Sequence, residues 1–205
     1  ITWPNTVELA KLSADMEFEA LVPVARWHGW GGKTNPQGPG FEAYTWAAGI
    51  AGATKHAGVV STSHITINHP IVAAKQSAAI DHISRGRYTL NIVTGWVQPE
   101  IEMFGQPMLS HDGRYACADE WISIVKRLWT EDETFDHEGR FYKNKKGYLE
   151  PKPIQARIPI VIGGGGEQRT LQIAAAHADV WNVLAPNVDV YARKASALDA
   201  HCAAI

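Results

Sequence analysis

The chain has 205 residues, 45% hydrophobic and 20% charged, with 19 basic residues against 21 acidic ones and a formal net charge of -2. This balance supports one core-forming domain and excludes recruitment of nucleic acid or an anionic membrane by a global field, so any anion has to be bound locally. No apolar run reaches the roughly 20 residues needed to span a bilayer, and Cys117 and Cys202 stand isolated, without metal or disulfide spacing, so free thiols in a reducing cytoplasm are expected.

In chain order, Asn5 or Thr6 should cap a first helix carrying Val7, Leu9, Ala10 and Leu12. An apolar strand over Phe18–Val24 follows, then the Gly/Pro-rich loop "WHGWGGKTNPQGPG" and a small-residue helix over about Phe41–His56. The next strand is expected over Ala57–Ser63. Asn68 or His69 then caps a helix with Pro70 in its first turn, turning Val72, Ala79 and Ile83 inward before Gly86 ends it. A strand over Arg87–Val93 comes next. Tyr115, Ala118, Ile122, Val125 and Trp129, three and four apart, predict one apolar face of a helix. "TFDHEGRFYKNKKGYLEP" reads as a hairpin turning at Glu138 and Gly139. A strand over Ile158–Ile162 then runs into four glycines, followed by a helix with Leu171, Ala174, Ala175 and Ala178 on one side. Last come a short strand over Asp179–Val183 and a helix presenting Val188, Tyr191, Ala195, Leu198 and Cys202.

Strands alternating with helices in this rhythm predict βα units around a parallel sheet. A closed (β/α)8 barrel takes about 250 residues, so the expected fold is an α/β, TIM-type barrel that is incomplete, its first strand and last βα units missing. The whole of residues 1–205 should form one domain, with a hairpin insertion near 134–150. The open doubly wound alternative lacks a nucleotide fingerprint, because the glycine run places Gln168 where GxGxxG needs its last glycine.

Candidate chemistry gathers at the predicted strand exits. Gly163, Gly164, Gly165 and Gly166 lie between a buried strand and a helix, where backbone N–H groups can face a phosphate; a flexible strand-to-helix turn is the plainer reading. "GWGGKT" ends like a phosphate-binding loop, but Trp27 occupies the position of its first glycine, leaving a loop in which Arg26, His28, Trp30 and Lys33 bunch together. Asn91, near the end of its strand, offers a donor and an acceptor to a heterocycle edge. Trp96 reads as a lid over the core or as the wall of a site. Glu100 and Glu102 read as an acid/base pair or as two solvated carboxylates on a loop. Arg114 in "HDGRY" suits an anion contact or a helix-start charge. The nine histidines form no metal-ligand spacing, and no nucleophile motif is present. An enzyme of this composition should rely on a bound cofactor.

"ARWHGWGGKT", "VVSTSHITINHPIVAAKQSAAIDHISRGRYTLNIVTGW", "PEIEMFG", "HDGRYACADEWISIVKRLW" and "EGRFYKNKKGYLEPKP" resemble the bacterial luciferase-like flavin monooxygenases, within them the branch of dimethyl sulfone and pyrimidine monooxygenases. The resemblance covers about residues 5–183 and implies a barrel with reduced FMN (FMNH2) at its C-terminal mouth. Carried over residue by residue, it implies flavin contacts from Ala25, Arg26, Asn91, Glu100, Arg114 and Tyr115, a phosphate beside Gly163, Gly164 and Gly165, and Ser61, Thr62 and Ser63 against the flavin ring. His28 would be the proton donor. The implied reaction is two-component oxygenation through a flavin peroxide, turning dimethyl sulfone into methanesulfinate. O2 and a separate NAD(P)H:FMN reductase would be the partners, and the assembly a homodimer or higher homo-oligomer in the cytoplasm. "GGGG" with "HADVWN" is closer to the deazaflavin (F420)-dependent reductases, which leaves a hydride-transferring oxidoreductase as the alternative. A non-catalytic flavin-binding barrel remnant is the other.

Overall fold

A computed structural model describes residues 1–205, and its elements alternate as expected. Helix α1 (Trp3–Asp15) begins earlier than the Asn5 or Thr6 cap implied. Thr2 is its N-cap and Pro4 lies in its first turn, where no backbone N–H is needed. Strand β1 (Ala20–Leu21) is much shorter than the expected Phe18–Val24. It lies at the sheet edge with one neighbour, so only Ala20 and Leu21 find ladder partners, while Phe18, Val22 and Val24 stay exposed.

Helix α2 (Ala43–Ala53) is capped by the Glu42 carboxylate, which accepts from the Tyr44 and Thr45 amides. Strand β2 (Gly58–His64) leads to α3 (Pro70–Ser84), capped by His69 and ended by Arg85 and Gly86 with positive φ. The face of α3 differs from expectation. Ala73, Ala74, Ser77, Ala78 and Ile80 pack inward, whereas Val72, Ala79 and Ile83 are exposed. The close approach of α3 to α2 and α5 selects the small side chains for the contact and leaves the larger ones outside.

Strand β3 (Tyr88–Val93) is followed by a helix not expected from the sequence, α4 (Gln98–Met103), with Pro99 in its first turn. Helix α5 (His111–Thr130) buries Ala118, Ile122, Val125 and Trp129 as predicted, together with Cys117, Trp121, Ile124 and Leu128. Strands β4 (Phe135–Glu138) and β5 (Lys143–Gly147) form the antiparallel hairpin. Glu120 of α5 grips the hairpin's turn by accepting from the amides of Arg140, Phe141 and Tyr142 and from the His137 ring. Strand β6 (Ile160–Gly163), α6 (Arg169–His177), β7 (Val180–Asn182) and α7 (Val188–Ala203) complete the chain. Helix α7 packs on α6 and fully buries none of its residues; Leu198 of its apolar side reaches the core, while Val188 and Tyr191 stay exposed.

Five strands form one parallel sheet in the order β1-β2-β3-β6-β7, so sequence neighbours are spatial neighbours once the hairpin is set aside. This is an α/β half-barrel. Its main core of 29 buried residues lies between the sheet and its helices, with Leu90, Ile92, Ile160 and Ile162 facing Ile50, Ala74, Trp121 and Val125. The register decides what faces the other way. Thr62 pairs with Asn91 and Asn91 with Val161, and His64 pairs with Val93, so these side chains form successive rows on the concave side. No helix is long and apolar enough to cross a membrane.

Candidate active site

The exits of β1, β2, β3 and β6 open into one cleft of about 550 Å3. Its walls come from the loop after β1 (Ala25, Arg26), from β2 (Thr62, His64), from the β3 exit (Val93 to Trp96) and from Glu100 of α4. His111, Arg114 and Tyr115 of α5, the four glycines after β6 and Thr170 of α6 complete it. Active sites of parallel α/β folds lie at these C-terminal strand ends because the loops there are free to vary while the sheet holds them in place.

One end of the cleft gathers glycine backbone, two hydroxyls and a guanidinium. Gly164 has φ +129°, and a Cβ there would stand 2.9 Å from Thr170 Cγ2; a Cβ at Gly166 would meet Thr170 Oγ1 at 2.8 Å. Glycine is therefore required for the backbone to pass this close to α6. The carbonyls of Gly164 and Gly165 are turned away, accepting from Trp181 Nε1 at 2.8 Å and from Lys194 Nζ. The amides of Gly165 and Gly166 have no acceptor in the chain. Beside them the Tyr115 hydroxyl lies 2.5 Å from Thr170 Oγ1. Arg114 donates from Nη1 to Leu109 O at 2.9 Å, and its Nε is buried without a partner.

The other end is aromatic and held by a buried carboxylate. Glu100 is 2% exposed. Its Oε1 accepts from the Trp27 amide at 2.9 Å and the His28 amide at 3.1 Å, and its Oε2 pairs with Arg26 Nη1 at 3.3 Å. The Arg26 guanidinium lies over the rings of Trp30 and Trp96, 4.7 and 5.2 Å from their centroids. Trp96 is thus no lid over the core: at 63% exposed it forms the rim of the cleft against Arg26. Glu100 is likewise not a solvated loop carboxylate, because α4 turns it inward, whereas Glu102 stays exposed.

Ala25, Arg26, Thr62, Glu100, Arg114, Tyr115, Gly163, Gly164 and Gly165 all lie on this one cleft. Asn91 sits in the concave row behind it, donating to Thr62 Oγ1 at 3.0 Å while its own Oδ1 is buried without a partner. Three candidates are placed elsewhere. Ser61 and Ser63 alternate to the helix side of β2, where Ser61 Oγ meets Tyr88 Oη at 2.5 Å and Ser63 accepts from Asn68 at 3.2 Å, so their side chains do not reach the cleft. His28 is exposed, and its ring folds onto Gly29 O at 2.7 Å outside the cleft wall; only its amide serves the site, through Glu100.

Two histidines line the cleft, the exposed His111 and the buried His64, and for His64 the position sets the protonation. Burial pushes its pKa below the ordinary 6.5, the Glu100 carboxylate opposing the shift and the Arg26 guanidinium adding to it. Strand alternation was the signal for it, two residues beyond Thr62 on the same face. Thr170 had no local signal, since only the packing of α6 on the glycine run brings it in.

The profile of the luciferase-like monooxygenases matches residues 1–205. The chain belongs to the luciferase-like monooxygenase family. Among family relatives, it is 31% identical over 172 residues to the FMNH2-dependent dimethylsulfone monooxygenase of Pseudomonas putida, covering 84% of this chain and 46% of that protein. It is also 31% identical over 166 residues to the pyrimidine monooxygenase RutA of Acinetobacter baylyi, covering 79% and 44%. The EDTA monooxygenase of Chelativorans sp. BNC1 superposes with a TM-score of 0.87 at 20% identity, over 98% of this chain and 53% of that one, a likeness of fold. The chain spans about half the length of each of these proteins.

Proposed function

We propose that this chain supplies the flavin-binding half of a barrel in an FMNH2-dependent monooxygenase acting on a small organosulfur compound, dimethyl sulfone. The observation that carries the reading is one cleft with an anion-receiving end and an aromatic, cationic end, assembled from four strand exits. The residues fit FMN on three counts. Arg114 Nε and Asn91 Oδ1 are buried donor and acceptor atoms without protein partners. The glycine run makes room that a Cβ would fill. Amides, two hydroxyls and a guanidinium at one end form a phosphate donor set.

Bound reduced FMN supplies the electrons that activate O2. The chain's residues hold and shield it. Arg114, Tyr115, Thr170 and the Gly165 and Gly166 amides receive the phosphate. Arg26, fixed by Glu100 and by the faces of Trp30 and Trp96, places a positive charge at the opposite end, where developing negative charge is stabilised. The overall balance is dimethyl sulfone, O2 and FMNH2 going to methanesulfinate, formaldehyde, FMN and water. A separate NAD(P)H:FMN reductase delivers the reduced flavin in the cytoplasm, and the enzyme works as a homodimer or higher homo-oligomer. The name of the sulfone relative supports both the cofactor and the substrate, and that of the pyrimidine relative supports a monooxygenase.

The test is to titrate the protein with FMN by tryptophan quenching, then supply reduced FMN, air and dimethyl sulfone and assay methanesulfinate and formaldehyde. Uracil and F420 run in parallel. Ring opening of uracil replaces the sulfone with a pyrimidine, F420 binding without FMN binding replaces the oxygenase with a reductase, and FMN binding without product leaves a flavin-binding remnant.

A further inference from the structure

Of the nine histidines, seven have a ring nitrogen within hydrogen-bond reach of another group, and His56 is exposed. His64 alone is both buried, at 8% exposure, and uncommitted. It is the last residue of β2, in the concave row with Val93, where it forms part of the cleft floor between the glycine end and the Arg26–Glu100 pair. Its backbone carbonyl is used, accepting from the Ile67 and Asn68 amides, which fixes the Cα and aims the side chain into the cleft. Its floor neighbour Thr62, by contrast, is already engaged by Asn91. An imidazole carries one donor and one acceptor when neutral, and here the protein uses neither, so both stay free for a molecule bound on the cleft floor.

We propose that His64 is a ligand-contacting residue, its imidazole hydrogen-bonding the polar edge of the heteroaromatic ring bound in this cleft. The inference rests on the flavin-binding reading and deepens it. It puts a ligand-contacting histidine at the end of β2, a different role from the proton donor expected at His28, and it makes the cleft selective for rings that present nitrogen or oxygen at that edge. Burial favours the neutral ring, which can donate at one nitrogen and accept at the other.

FMN is the probe. Dissociation constants are measured for the wild type, His64→Leu and His64→Gln, with inorganic phosphate as a competitor to report the glycine end. His64→Leu should weaken FMN binding at least tenfold with the phosphate competition constant unchanged, and His64→Gln, which keeps a donor and an acceptor, should return to within threefold of the wild type. In the wild type, the ring-nitrogen resonances of His64 should move on saturation with FMN, while those of His82, bonded to Lys152 O far from the cleft, stay put. Equal FMN affinity in His64→Leu and wild type, or unmoved His64 resonances in an FMN-saturated sample, overturns the proposal and leaves the flavin reading standing. Failure of the wild type to bind FMN overturns both.

Discussion

Replacing Glu100 with alanine should release the segment that carries Arg26. The carboxylate is 2% exposed and holds three donors at 2.9, 3.1 and 3.3 Å, two of them backbone amides. Removing one partner of a buried pair costs about 3–5 kcal/mol. Arg26 keeps 15% of its side-chain exposure and the faces of two tryptophans, which places the cost near the lower limit, about 3 kcal/mol. Spent on local opening, this corresponds to roughly 100-fold faster exchange. Hydrogen–deuterium exchange should show that acceleration at the Trp27 and His28 amides, while Leu90 and Ile92 in β3 keep wild-type protection. Glu100→Gln retains an amide acceptor but loses the charge, and should fall between, at about tenfold. Wild-type protection of Trp27 and His28 in Glu100→Ala would mean that the carboxylate does not hold the loop, and the account of the Arg26 end would be wrong.

Gly164→Ala forces a side chain onto a φ of +129° and against Thr170, so stability should drop by about 1–3 kcal/mol in urea denaturation, with FMN affinity lowered at least tenfold. Tyr115→Phe leaves the 2%-exposed Thr170 hydroxyl without its partner, at a cost of about 1–3 kcal/mol. Adding Thr170→Val removes the orphan, so the double variant should be destabilised by less than the sum of the singles in a denaturation cycle. For Glu120, burial raises the carboxyl pKa, but hydrogen bonds from the His137 ring and the Tyr142 and Phe141 amides outweigh it and hold the group below its ordinary 4.5. The unfolded chain therefore binds this proton more readily. The stabilisation is complete above about pH 4.5 and is lost as pH falls through the lower folded value. Denaturation at pH 7 and at pH 3 should show the difference between wild type and Glu120→Gln shrinking toward acid, and a constant difference would refute the assignment.

Local periodicity was enough to read the order of strands and helices apart from α4, with the hairpin, the parallel sheet and the apolar face of α5, because each of these is written along the chain as a repeat of 2 or 3.6 residues. It was also enough to single out the strand exits and the glycine run, which the fold brings onto one cleft. Packing decided the rest. Val72 and Ile83 looked like the core face of α3 because they are large, but close helix contacts selected alanines instead. Glu100 looked solvated because its partners, Trp27 and His28, lie more than seventy positions away. Ser61 and Ser63 were separated from Thr62 and His64 by a one-residue alternation whose absolute phase follows from sheet register, not from composition. The same phase placed His64 rather than His28 on the cleft. A sequence carries its own periods, but which side of each period meets a ligand is settled only when strands distant along the chain align side by side.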